Sequence, residues 1–293
     1  MNMFKTGTLF LFLTFLLLIT GYLVGGIGGI LVFLVISLAM NFFGYWFSDS
    51  MVLAMSRAHK ATPEDAPELH RIVEQQAQMA GIPKPKVYVI DSDAPNAFAT
   101  GRSKNHASVA VTSGIMHILN RDELGGVIAH ELGHVGNRDT LIMTMVAGVA
   151  GAISMIAWMA QWSLLFGGMG DRRRDANGGA MLGLLVVAIV MPLAALLVRM
   201  AISRAREYQA DATGATTSGN PLALANALRK LQRGSEARSL DIPKTQLEAV
   251  SHLFIVNPLR GEGIANLFST HPPLEERIRK LEAMQYRSLW PNR

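Results

Sequence analysis

The run His130-Glu131-Leu132-Gly133-His134 sets two imidazoles and a carboxylate in the order His-Glu-x-x-His, the sequence form of a zinc hydrolase site. On a helix, His130 and His134 stand one turn apart on the same face, so both rings can reach a single metal ion. Glu131 lies beside them, placed to take a proton from the attacking water. A surface helix that simply carries these residues is the alternative. Leu124, Val127, Ile128 and Leu132 mark a core-packed helix instead, and charged groups turned into a core are costly unless paired or metal-bound. The chain has no cysteine, which removes thiolate ligands, disulfides and a Cys nucleophile and leaves the chemistry to His and carboxylates.

Two His ligands need a third protein ligand, with the fourth position left open. A third His in the spacing His-x-x-Gly-x-x-His is excluded, because Asn137 and Thr140 occupy those places. The other solution is a downstream carboxylate on a separate helix. Arg206-Glu-Tyr-Gln-Ala-Asp211 supplies Glu207 and Asp211 on one helical face. Glu207 is the expected third ligand, and Asp211 the acceptor for the far nitrogen of a ligating His, fixing its tautomer and orientation.

The elements that must position these groups are also readable. Asn120 with Glu123 three residues on forms a capping box that starts the active-site helix near Arg121. Leu69, Ile72, Val73, Gln76 and Met79 follow helical spacing within Pro63 to Ala80, and Gly81 and Pro83 end that helix. Lys86 to Ile90 and Ser108 to Thr112 read as strands, joined by a turn-rich connection from Asp91 to Asn105. Asn96 to Gly101 lies in that connection, where an exposed edge could pair with an extended peptide. Asn220 to Leu231 and Leu247 to Val256 read as amphipathic helices. Glu275 and Glu276 early, with Arg279 and Lys280 later, signal a further helix after Pro272 and Pro273. The pattern is α+β, mainly helical.

The composition adds a membrane. Half of the 293 residues are hydrophobic and mean hydropathy is +0.26, too apolar for an ordinary soluble chain. The net charge of +5 does not point to nucleic acid, because Lys and Arg are scattered and not interleaved with stacking aromatics. From Thr8 to Phe47 there is no charged residue, room for a hairpin of two spans that turns at Gly25 to Gly29. A second apolar pair, Leu141 to Phe166 and Ala180 to Met200, gives four predicted transmembrane helices in two hairpins, the alternative being a second pair that enters only partway or packs on the protein. Lys5 before the first hairpin and Arg57, His59 and Lys60 after it place both of its ends on the cytoplasmic side. The expected organisation is a membrane hairpin at 1–56, the first part of a catalytic domain at 57–140, a second hairpin at 141–200 and the rest of the catalytic domain at 201–293. His134 and Glu207 each lie seven residues from an end of the second hairpin, within about 10 Å if helical. That hairpin would clamp the two halves of the site together.

His130-Glu-x-x-His134, Glu207-x-x-x-Asp211, the order of the apolar segments, and the runs Asn96 to Gly101 and Phe268 to Pro273 together resemble the HtpX family of bacterial heat-shock membrane proteases. That family is grouped with the CAAX prenyl endopeptidases among metallopeptidases of gluzincin type. The resemblance implies one zinc ion per chain, held by His130, His134 and Glu207, with Glu131 as the base. It implies a place in the bacterial cytoplasmic membrane with catalytic domain and both termini cytoplasmic, and substrates among damaged or unfolded membrane proteins. It further implies that Asn96, Ala97 and Phe98 line the substrate cleft, and that His271 and Arg277 approach the metal, to steady an oxyanion or fill the open position at rest. Processing of lipid-modified peptides is the second reading and a non-enzymatic membrane scaffold the third.

Overall fold

The computed structural model describes residues 2–144, 204–237, 240–256 and 272–289. Helix α1 covers Asn2–Met55, and its path is not straight. Ser37 Oγ donates to Thr14 Oγ1 at 2.9 Å across 23 residues, which on an unbroken helix would stand about 34 Å apart. The chain therefore turns back between them, and Gly26, at φ 57°, takes the left-handed geometry that glycine adopts without steric cost. Among the described residues no single helix is long and apolar enough to cross a membrane. Gly26–Ala39 and Phe42–Met55, bent by 46°, reach that length and apolarity only as a pair. The second apolar pair of the expected four spans lies outside the described residues from position 145 onward.

After α1 come β1 (Ala58–Lys60), α2 (Pro67–Met79), β2 (Lys86–Ile90), β3 (Ala97–Ser103), β4 (His106–Thr112), α3 (Ser113–Ile118) and α4 (Arg121–Gly136). Then follow α5 (Arg204–Ser218), α6 (Pro221–Ala237), α7 (Lys244–Val250), a 3-10 turn (Ser251–Leu253) and α8 (Leu274–Leu289). The strands form one sheet in the order β1-β2-β4-β3. β2 and β4 run parallel from Lys86 opposite Ser108 to Ile90 opposite Thr112, and β3 runs antiparallel to β4 as an edge strand.

Two expectations are corrected. The connection 91–105 contains the strand β3. Ala97-Phe-Ala-Thr-Gly-Arg-Ser103 lacks the β-branched alternation that marks a strand in sequence, and its pairing with β4 supplies what its composition does not. The helix expected from Leu247 to Val256 stops at Val250, and beyond the 3-10 turn Phe254 is extended at φ −74° and ψ 142°. The amides of Ile255 and Val256 go instead to Ala97 O at the start of β3, at 3.0 Å, and to the side chain of Asn96 just before it, at 3.3 Å to Oδ1. Tertiary bonds have displaced the helical ones.

Alternation along the strands divides the core in two. On one face Val87, Val89, Ala97, Ala99, Val109 and Val111 pack with Leu124, Val127, Ile128 and Leu132 of α4 and with α2 and α6. On the other, Ile90, Phe98 and Ala110 pack with Val52 and Leu53 at the end of α1, with Met143, and with Leu253 and Phe254. The sheet thus separates the helix with the candidate ligands from the layer that receives the apolar N-terminal segment.

Candidate active site

Helix α4 begins at the expected capping box. Asn120 Oδ1 accepts from Glu123 N at 2.9 Å, and Glu123 Oε2 accepts from Asn120 N at 2.9 Å. Lys230 Nζ adds a 2.6 Å contact to the same carboxylate. The start of α4 is therefore fixed from two sides, and with it the rotation that turns His130 and His134 inward. The two rings stand 4.9 Å apart at 88°.

Helix α5 crosses α4 closely because of glycine. A Cβ at Gly214 would lie 2.7 Å from His130 N, and one at Gly133 3.2 Å from Ala210 O. The first distance is one that real Cβ atoms do not tolerate, so a larger residue at 214 would push α5 off α4. The close crossing brings Glu207 to both imidazoles: Oε2 is 3.9 Å from His130 Nε2 and Oε1 is 3.5 Å from His134 Nε2. One ligand atom from each of the three residues lies within 4.8 Å of the others. Donors about 2.1 Å from a tetrahedral ion stand about 3.4 Å apart, so these three fit one metal ion after small shifts. Two imidazoles and a carboxylate are also a donor set that zinc accepts.

Around this trio the other expected residues converge. Asp211 Oδ1 lies 2.9 Å from His130 Nδ1, the geometry that leaves Nε2 facing the other ligands. Arg277, fully buried, grips Asp211 with two bonds, Nε to Oδ2 at 2.8 Å and Nη2 to Oδ1 at 2.7 Å. Its Nη2 is also 3.4 Å from His130 Nε2, and its Nη1 lies 3.8 Å from Glu207 Oε2. Glu131 Oε2 accepts from Ala99 N of β3 at 2.9 Å. Asn96 lies immediately before that strand and Ala97 opens it, while the ring of Phe98 is turned to the far face, edge-on to Phe254 at 5.1 Å. His271 lies outside the described residues.

Asp139 is the group that sequence alone did not single out. It follows a Schellman turn that closes α4: Asp139 N donates to His134 O at 2.9 Å and Arg138 N to Val135 O at 3.1 Å. Arg138 occupies the left-handed position at φ 61°, where glycine is usual, so no Gly signal announced the turn. The turn brings Asp139 Oδ2 to 3.6 Å from His134 Nδ1, longer than a hydrogen bond and close enough for strong attraction between buried groups. The signal that could have found it is an acidic residue directly after the ligand helix, within reach of the second imidazole.

The electrostatics follow from these partners. Burial pushes Glu131 up to about 8, and Glu207 adds to this against the opposing pull of His134, the Ala99 amide and Arg277. Burial would raise Asp211 as well, but Arg277 and His130 hold it far below the ordinary carboxylate range. Burial lowers His130 despite Asp211. At His134 the same burial is outweighed by Asp139, Glu207 and Glu131, which hold the imidazole above its usual value.

The sequence is similar to known proteins. The model of peptidase family M48 matches residues 63–285. The chain is 54% identical over 277 residues to a Protease HtpX homolog of Pyrococcus furiosus, covering 94% of each. It is 52% identical over 280 residues to a Protease HtpX homolog of Desulfatibacillum aliphaticivorans, covering 96% of this chain and 89% of that one. Among solved structures, S. mikatae Ste24p aligns with 95% of this chain at 20% identity and a TM-score of 0.46, and the chain spans 63% of its length.

Proposed function

The chain belongs to peptidase family M48 and is a metallopeptidase of the HtpX type, hydrolysing peptide bonds, and from that premise we propose a zinc-dependent membrane endopeptidase acting on damaged or misfolded membrane proteins. The observation that carries the reading is the buried trio of His130, His134 and Glu207, all within ligand distance of one another, beside a carboxylate at Glu131 whose proton affinity is raised. His130 and His134 through Nε2, and Glu207 through a carboxylate oxygen, would hold one zinc ion. When bound, zinc polarises the scissile carbonyl as a Lewis acid and lowers the pKa of the attacking water.

Glu131 takes the proton of that water and returns it to the leaving amine. Asp211 keeps His130 oriented by holding Nδ1, and Arg277 keeps Asp211 charged and in place. His271 assists near the metal on the family resemblance alone. The membrane half of the reading rests on the apolar stretch before residue 48 and on where it ends. Val52 and Leu53 pack in the cluster that holds Phe98, and Arg102 of β3 sits 4.6 Å over the ring of Trp46. Trp at the end of an apolar helix is an interfacial residue, so in this reading substrates meet β3 at the bilayer surface, on the side that Lys5, Arg57 and Lys60 mark as cytoplasmic.

Purification in detergent without chelator, metal analysis, and a cleavage assay on casein and on an unfolded membrane protein test this. We expect about one zinc per chain, and Glu131→Gln should keep the metal while losing on the order of 10²- to 10⁴-fold in turnover. Undiminished cleavage by Glu131→Gln would remove it as the base.

A further inference from the structure

The edge of β3 next to the metal ligands carries an occupant from the chain itself. Ile255 N donates to Ala97 O at 3.0 Å. Asn96 reads both polar groups of the next residue, with Nδ2 donating to Val256 O at 2.7 Å and Oδ1 accepting from Val256 N at 3.3 Å. Arg277 Nη1 donates to Ile255 O at 3.2 Å, from the same guanidinium that lies 3.4 Å from His130 Nε2. The two residues after the extended Phe254 are thus held through their own main-chain atoms, once by the strand edge at Ala97 O and otherwise by the side chains of Asn96 and Arg277. Capture through main-chain atoms at a strand edge is how a sheet binds a peptide.

Resting on the peptidase reading above, we propose that Phe254–Val256 is an internal peptide lying where the substrate main chain must lie, and that a substrate reaches the metal ligands only by displacing it. Two further amides of this edge are also taken, Ala99 N by Glu131 Oε2 and Gly101 N by Thr144 Oγ1 at 3.4 Å. The reactive groups behind it are closed off, with His130, Glu131, His134 and Glu207 between 1% and 4% exposed. Exchange is feasible because every bond to the edge uses peptide groups and not side chains of the occupant. An incoming extended peptide can remake them one for one, whatever its sequence. Phe254, edge-on to Phe98, is the side chain that favours the internal occupant. The apparent affinity for substrate is then reduced by the fraction of molecules in which the segment is seated.

Hydrogen exchange on the full-length, metal-loaded Glu131→Gln protein in detergent tests the displacement without turnover. An unstructured casein-derived peptide is titrated to about 1 mM, the upper range of enzyme KM values, and protection is read at the Ile255 and Val256 amides. These two amides should lose protection as the peptide is added. Protection retained at saturating peptide overturns the proposal. In the otherwise native protein, Ile255→Pro deletes the donor to Ala97 O, and Phe254 already has the extended ψ of 142° that a residue before proline requires. Loss of one such bond should raise kcat/KM on the short peptide about fivefold, and an unchanged or lowered kcat/KM with a normal melting temperature overturns the proposal. Failure of the peptidase reading looks different: neither the native protein nor Ile255→Pro cleaves, while the exchange response is still present.

Discussion

The two flanks of the active site each hold a buried carboxylate, and the two behave in opposite ways. On the flank of α4 and β3, Glu131 receives one backbone N–H, from Ala99, and burial drives its proton affinity up to about 8. On the flank of α5 and α8, Asp211 is as deeply buried but meets the guanidinium of Arg277 and the imidazole of His130, and it stays ionised. Burial depth alone therefore does not set the role of an acid in this site. The number and charge of its partners do, which lets one site contain both a proton carrier and a fixed anion.

Arg277→Met breaks the contrast most severely. It leaves Asp211 without its cation in a buried position, and removing one partner of a buried pair costs about 3–5 kcal/mol. Denaturant unfolding of the metal-free protein checks this, and a loss under about 1 kcal/mol would mean that His130 alone suffices to hold the anion. Glu131 should show the reverse behaviour in the same measurement. Its folded-state pKa, about 8, lies above the ordinary 4.5, so its contribution to stability is fully present below pH 4.5 and is lost as pH rises through 8. The metal-free protein should lose stability over that window with a slope approaching about 1 kcal/mol per pH unit from this group. Glu131→Gln should flatten the slope by that amount, and an unchanged slope would mean that the raised proton affinity is not real.

A smaller effect sharpens the comparison between the two imidazoles. His130 has Asp211 at 2.9 Å, whereas His134 has Asp139 at 3.6 Å. Asp139 also acts on the neighbouring Arg206, where burial lowers the guanidinium pKa and the Asp139 charge opposes this. Asp139→Ala is expected to weaken zinc binding by about 10- to 100-fold, the range for partners that orient a metal ligand, measured by chelator competition. Unchanged affinity would confine Asp139 to its place in the turn that closes α4.

The chain itself determined the features that depend on short spacing. The His130 and His134 pairing, the Asn120 and Glu123 capping box, and the shared face of Glu207 and Asp211 follow from helical periodicity, a local property that a sequence states directly. The tertiary structure decided what depends on contacts between distant positions. β3 is a strand because β4 lies beside it, not because Ala97 to Ser103 favours extension. Val256 reaches Asn96 across 160 residues and Arg277 reaches Asp211 across 66, and no local pattern encodes either meeting. The opposite fates of Glu131 and Asp211 belong to the same class. An acid's type and place can be read from the sequence, but its proton affinity is set by the groups that packing brings within a few ångströms of it.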